Sequence, residues 1–216
     1  MKRLTKLANK HKTDKGTEFS YAHGFTEFYE PFFEKYENPT ILELGVDKGA
    51  SEKMLNDFYD GNCTIYCVDI EDKSDLFKDY DNIKFFQCDL STRENISELI
   101  SRLESVSFDI IIDDASHKWA DQFLSLSMVS PLLKEDGVYI LEDLHTSYES
   151  EIFGEGEDFV QSPLYFLVYL NFNKFLAEEE YYGLRYRIKD INIINLDGGC
   201  WNRNSRSITS IITFKK

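Results

Sequence analysis

The chain has 216 residues, of which 42% are apolar and 15% aromatic, enough for one sizeable core and too few for two full catalytic domains. Its 24 Lys and Arg against 39 Asp and Glu leave a net charge of −15, which disfavours partners with phosphate backbones, so no nucleic-acid partner is expected. There is no apolar run of the roughly 18 residues that a membrane span needs. The polar, basic start of the chain lacks the apolar stretch of a secretory signal, so a cytoplasmic protein is expected.

The first 38 residues read as a helical lead-in, with an aromatic helix over 26–36 that Asn38-Pro39 ends. A β/α alternation follows. Apolar strands are expected at 40–44, 63–70, 83–88, 108–112 and 137–141, and helices at 50–59, 91–104 and 119–133. Ser91 or Thr92 is positioned to cap the second of these helices. Strands that are apolar throughout indicate a parallel sheet covered on both faces. Residues 149–158 are acidic and glycine-containing and read as a loop, a candidate lid over a bound substrate. An aromatic helix over 162–177 and two strands at 188–195 and 207–214, joined through Gly198-Gly199, complete the chain. The expectation is an α/β fold: a doubly wound, seven-stranded, mostly parallel Rossmann-like sheet over 39–216, with a final antiparallel pair. Cys63 and Cys67 share one strand face and, with Cys88 and Cys200, read as thiols of a reducing compartment.

Ligands of open α/β sheets bind beyond the carboxyl ends of the strands, so the residues there are the candidates for a site. The first strand runs into Glu43-Leu44-Gly45-Val46-Asp47-Lys48-Gly49-Ala50-Ser51. The glycines at 45 and 49 let backbone approach a ligand closely, but the spacing is not the G-x-G-x-x-G that seats a pyrophosphate. Glu43 beside the loop repels pyrophosphate and suits a cationic amino-acid group. Asp69, with Ile70, closes the second strand and can accept two hydrogen bonds from a ribose diol; Asp89 closes the third, where an adenine amine would sit.

The fourth strand leads into Asp113-Asp114-Ala115-Ser116-His117, and the fifth into Glu142-Asp143-Leu144-His145. Four carboxylates brought together demand a proton or a cation. An all-oxygen set favours Mg²⁺, Mn²⁺ or Ca²⁺ over Zn²⁺, which prefers nitrogen and sulfur, so Asp114, Glu142 and Asp143 are the candidate metal ligands.

The glycine-loop segment resembles the first motif of class I S-adenosylmethionine-dependent methyltransferases, with Asp47 where that family often has another glycine. D-x-x-H at Asp114 to His117, followed by Glu142-Asp143, looks like the metal-dependent sugar O-methyltransferases, of which the macrolide-sugar enzymes are the best known. Thr13-Asp14-Lys15-Gly16 with Tyr21 resembles a motif upstream of their core.

The resemblance covers residues 12–150 and implies an enzyme that moves a methyl group from S-adenosylmethionine to a sugar or glycan hydroxyl. The metal-bound hydroxyl would lose its proton to His117, the general base, and attack the methyl in line, with Asp113 facing the donor. Thr13 and Lys15 join Glu43, Gly45, Val46, Gly49, Ser51, Asp69, Ile70 and Asp89 as expected donor contacts, so the lead-in contributes to the site. Trp119, His145, Tyr148 and Tyr21 are candidates for the acceptor pocket, and Trp201 for stacking on a sugar face. His11 and His23 lie in the lead-in; His23 is a candidate to line the pocket, and neither is assigned a role.

The same acidic cluster would also serve a phosphorus-linked oxygen, such as a capsule phosphoramidate, or a non-sugar natural product as acceptor. A protein of another class, binding divalent cations or sugars without catalysis, would have no need of a base such as His117. A homodimer is expected on the general prevalence of two-fold oligomers.

Overall fold

The structure is a computed structural model that describes residues 1–18, 22–103, 105–172, 184, 187–197 and 206–215. Seven strands form one sheet in the order β3-β2-β1-β4-β5-β7-β6. They are β1 (Thr40–Leu44), β2 (Thr64–Asp69), β3 (Ile83–Gln87), β4 (Phe108–Asp113), β5 (Leu133–Leu141), β6 (Ile188–Asp197) and β7 (Arg206–Phe214). The first five run parallel, and β7 pairs antiparallel with both β5 and β6. The expected doubly wound sheet with a final antiparallel pair is therefore present. The chain reverses its strand order between β1 and β4, the place where open α/β sheets bind ligands.

The period-two alternation of each strand divides the core into two faces. Leu42, Leu44, Val68, Ile111, Tyr139 and Leu141 pack with helices α4 (Arg93–Arg102), α5 (Trp119–Val129) and α7 (Pro163–Phe172). Ile41, Ile65, Cys67, Ile110, Ile112 and Ile140 pack with α1 (Arg3–His11), α2 (Thr26–Phe33) and α3 (Ala50–Phe58). Cys63 and Cys67 share the second face as buried, unoxidised thiols. Thr92 caps α4 by accepting from Asn95 N–H at 3.3 Å.

Several boundaries differ from the sequence expectation, each for a local reason. Helix α5 ends at Val129 and continues as one tighter turn over Ser130–Leu132, because Pro131 has no N–H to donate. The acidic stretch 149–158 is not irregular: it carries the helical turn α6 (Ser150–Phe153), and Asp158 opens the Phe159–Gln161 turn with a reciprocal capping box. Gly154 lies flat on the Trp119 indole, where a Cβ would come within 2.6 Å of the ring. The lead-in holds the additional helix α1, whose amino end is capped from α2: Glu30 accepts from the N–H groups of Arg3 and Leu4 at 3.3 and 2.6 Å. Lys10 and His11 then bind Asp57 of α3. The 173–177 end of the expected aromatic helix, the Gly198-Gly199 turn, Cys200, Trp201 and Tyr21 lie outside the described residues.

At the switch point, parallel ladders continue past the strand ends. Gly45 N–H donates to Val68 O, Asp114 N–H to Leu44 O, and Glu142 N–H to Asp113 O, at 2.8, 2.8 and 3.0 Å. The Gly45 backbone has φ +94°, and a Cβ there would lie 2.1 Å from the Asp114 carbonyl oxygen. Gly45→Ala is expected to destabilise the protein by about 2 kcal/mol or more, from backbone strain and the displaced β4 loop. Urea unfolding checks this, and an unchanged midpoint would contradict it.

Candidate active site at the strand ends

Beyond the carboxyl ends of β1, β2 and β4 lies a cavity of about 540 Å³. Of the expected donor contacts, Thr13, Lys15, Glu43, Gly45, Val46, Ser51, Asp69, Ile70 and Asp89 line it, and Gly49 does not. Gly49 instead forms the left-handed cap of α3, at φ +71°. Asp47, in the position where glycine was the family habit, has φ +46°; aspartate is among the few residues that tolerate this conformation. Asp69 is fixed by its own loop, accepting from Val46 N–H at 3.0 Å and from Glu71 N–H at 2.9 Å. Asp89 similarly accepts from Ser91 N–H at 2.9 Å, which holds its carboxyl below the usual range.

Strand parity decides where the acidic side chains go. Glu43 and Glu142 lie on the face of Ile41, Ile112 and Ile140, toward the lead-in. Asp113 lies on the opposite face, with Tyr139 and Ile111. It accepts from Tyr139 O–H at 2.7 Å and from Ser125 O–H on α5. Asp113 therefore does not line the cavity and does not face a donor there, a correction to the sequence expectation.

Lys15 enters the space between Glu43, Asp114 and Glu142. Its side chain is 2% exposed, and its Nζ bonds Asp114 Oδ2, lies 3.1 Å from Glu142 Oε2 and stands 4.0 Å from Glu43 Oε1. Burial works against the charged ammonium, but Asp114, Glu142, Asp14 and Glu43 outweigh it and keep Lys15 protonated. Burial pushes the Glu43 carboxyl up to about 7, against the pull of Lys15, and pushes Glu142 well above the ordinary range. Burial also opposes ionisation of Asp114, yet Lys15 and His117 hold it below its usual value.

Asp114, His117 and Asp143 form a second group at the cavity edge, each offering one atom within 4.8 Å of the others. His117 Nε2 lies 3.6 Å from Asp143 Oδ2, while its buried Nδ1 has no hydrogen-bond partner among the described residues. His117 and Asp143 both have left-handed backbones, at φ +59° and +53°. Side chains seldom adopt this conformation, and it recurs at functional loops. The group contains two of the three expected metal ligands. Glu142 is turned to Lys15, and His117 stands beside the other two.

His23 joins from the lead-in, its Nε2 3.8 Å from Asp143 Oδ1, stacked on Phe25. His145 lies 5.8 Å from the His23 ring, and burial lowers its pKa. Trp119 is fully buried, donating from Nε1 to Thr146 O at 3.2 Å, so it packs the interior and offers no face to an acceptor. Tyr148 is exposed and stacked on Phe159 at 5.1 Å. Tyr21 is outside the described residues. Sequence reasoning missed Asp14, Lys12 and Lys73, which line the cavity, and missed Lys15 as partner of the carboxylates.

This sheet order, with a cavity beside the glycine loop, is the fold of the class I S-adenosylmethionine-dependent methyltransferases. Within that fold, the chain resembles the sugar O-methyltransferases of natural-product pathways. It is 32% identical over 154 residues to mycinamicin VI 2''-O-methyltransferase of Micromonospora griseorubida, covering 67% of this chain and 37% of that protein. It is 29% identical over 171 residues to 8-demethyl-8-alpha-L-rhamnosyl tetracenomycin-C 2'-O-methyltransferase of Streptomyces olivaceus, covering 76% of this chain and 43% of that one. The chain thus spans less than half the length of these curated relatives. The MycE methyltransferase of the mycinamycin pathway, solved with Mg, SAH and mycinamycin VI, superposes with a TM-score of 0.77 at 24% identity, over 100% of this chain and 54% of that one. An O-methyltransferase from Bacillus cereus in complex with SAH gives 0.60 at 13% identity, over 98% and 90%. No family model matches the chain.

The buried Asp113 supplies a pH prediction. Burial raises its carboxyl to about 6, despite the hydrogen bonds from Ser125 and Tyr139. A carboxyl raised on folding takes up a proton in the native state, so its contribution is present below about pH 4 and is lost as pH rises through 6. Asp113→Asn does not titrate. Relative to the wild type, the variant should gain on the order of 2–3 kcal/mol between pH 4 and pH 7. Denaturant titrations at the two pH values check this, and a constant difference would contradict the burial account.

Proposed function

We propose that the protein is a metal-dependent O-methyltransferase that transfers the methyl group of S-adenosylmethionine to a sugar or sugar-like hydroxyl. The observation that carries this reading is the meeting of Asp114, His117 and Asp143 at the edge of a cavity that also opens on the glycine loop. The relatives' names supply the acceptor class, since one of them is an 8-demethyl-8-alpha-L-rhamnosyl tetracenomycin-C 2'-O-methyltransferase.

The residues fit both groups. Gly45 lines the cavity with its backbone, and Asp69 still has lone pairs for a ribose diol. Asp14, Asp69 and Asp89 line the cavity and give it the negative charge that suits an ammonium and a sulfonium. The carboxylates of Asp114 and Asp143, with Glu142 behind them, are oxygen donors that suit Mg²⁺ or Mn²⁺. When bound, the donor supplies an electrophilic methyl group, and the cation makes a nearby hydroxyl more acidic.

The remaining work belongs to the chain. Asp114 and Asp143, with Glu142 where Lys15 shares it, hold the cation. His117 at the cavity edge accepts the acceptor's proton, and Asp143, with Oδ2 3.6 Å from its Nε2, steadies the imidazolium. Phe153 packs its ring edge-on to His117 at 6.5 Å. Exact alignment of the hydroxyl with the methyl group supplies a large part of the acceleration.

His117→Ala should bind the donor as the wild type does and lose about 10²–10⁴-fold in turnover, the usual contribution of a general base. Asp114→Asn should weaken Mg²⁺ binding and lower turnover together. Both are measured by transfer of labelled methyl from S-adenosylmethionine to mycinamicin VI and to an L-rhamnosyl glycoside. Full activity of His117→Ala removes the base assignment, and full activity after exhaustive chelation removes the metal. Tight donor binding with no transfer to any sugar hydroxyl contradicts the sugar reading.

A further inference from the structure

Lys15 does more than line the cavity. Its backbone is clamped from both sides. Thr13 N–H donates to Ala8 O at the end of α1, while His23 N–H, Gly24 N–H and Thr26 N–H donate to Asp14, Gly16 and Lys15 carbonyls at 2.6, 2.7 and 3.2 Å. With its stem buried and its root fixed, the ammonium stays among Glu43, Asp114 and Glu142. Asp114 is shared: Oδ2 bonds Lys15, and the same carboxylate belongs to the group with His117 and Asp143. Glu142 is shared in the same way, with Oε2 toward Lys15 and a buried Oε1 that has no partner among the described residues.

We propose that Lys15 is the resident counter-cation of the metal site, competing with the divalent ion for Asp114 and Glu142. The proposal rests on the reading of Asp114, Asp143 and Glu142 as holders of that ion. Without the ion, the ammonium neutralises carboxylates that would otherwise repel one another in a dry interior, so the empty site remains folded. When an ion arrives, it meets a fixed positive charge on carboxylates that it must share. Its affinity is thereby reduced and it remains exchangeable. Lys15 is a positioning residue: it acts on the ion through Asp114 and Glu142.

The test is Lys15→Gln, a shorter neutral side chain that still hydrogen-bonds, measured against the wild type by calorimetric titration of Mg²⁺ alone and by thermal unfolding with and without Mg²⁺. Lys15→Gln should bind Mg²⁺ about tenfold or more tightly, because a like charge a few ångströms away has been removed. Its ion-free form should unfold at a lower temperature than the wild type, and Mg²⁺ should raise its Tm by more than it raises the wild-type Tm. Equal or weaker Mg²⁺ affinity in the variant overturns the proposal, because Lys15 would then assist the ion. Absence of Mg²⁺ binding by both proteins overturns the metal reading itself, a different failure. If the variant does not fold, the wild type labelled with ¹³C at lysine Cε decides: the resonance of Lys15 should move on Mg²⁺ addition, and a resonance that stays fixed while calorimetry records binding overturns the proposal.

Discussion

A lysine ammonium buried among three carboxylates is the interaction on which the site depends. Neighbouring parallel strands β1, β4 and β5 end side by side, and each delivers an acidic residue to the same small volume. Two unit charges about 4 Å apart interact by roughly 4 kcal/mol at an effective dielectric of about 20, so such a cluster does not persist without a compensating cation. Lys15 supplies that charge from the lead-in, reaching Asp114, Glu142 and Glu43 in turn. The lead-in is thus part of the site's electrostatics. Its helix α1 is anchored by Glu30 at one end and by Asp57 at the other, which keeps the lysine at its post.

The loops above the strands add a second constraint. Gly45 is pressed against the Asp114 backbone, and Asp47, His117 and Asp143 all hold left-handed conformations. These positions sit in three different loops and converge on one cavity. Continued ladder bonds from Gly45, Asp114 and Glu142 leave the loops little freedom, so the side chains above them are presented in fixed directions. A rigid arrangement of this kind suits a reaction whose acceleration comes mainly from alignment and electrostatics.

Much of this was legible in the residues. The seven strands announced themselves as apolar, β-branched runs, and the glycine loop, Asp69, Asp89, Asp114 and His117 stood where strand ends predict a ligand. Helix α1 was missed because its surface is mostly lysine and polar, with only Leu4, Leu7 and Ala8 to mark a buried side. The turn α6 was missed because its four residues hold too few apolar positions to establish a period. Lys15 was assigned to the donor because its carboxylate partners lie at least 28 positions away in sequence, beyond any local pattern. Asp113 was placed on the wrong side although the signal existed: counting parity from Ile112, which packs toward the lead-in, turns Asp113 to the other face. The turning of Glu142 to Lys15, with His117 beside Asp114 and Asp143, depends on where Lys15 lies, and so could not be reached without the fold.

The proposed activity requires the strand-end cavity to hold a sulfonium donor beside Glu43, Gly45 and Asp69. Calorimetric titration of S-adenosylmethionine into the purified protein, with S-adenosylhomocysteine and NADH for comparison, tests it most directly. The account predicts saturable binding of both adenosyl compounds, weakened when Asp69 is replaced by Ala, and none of NADH. Absence of binding by either adenosyl compound, or preference for NADH, would contradict it.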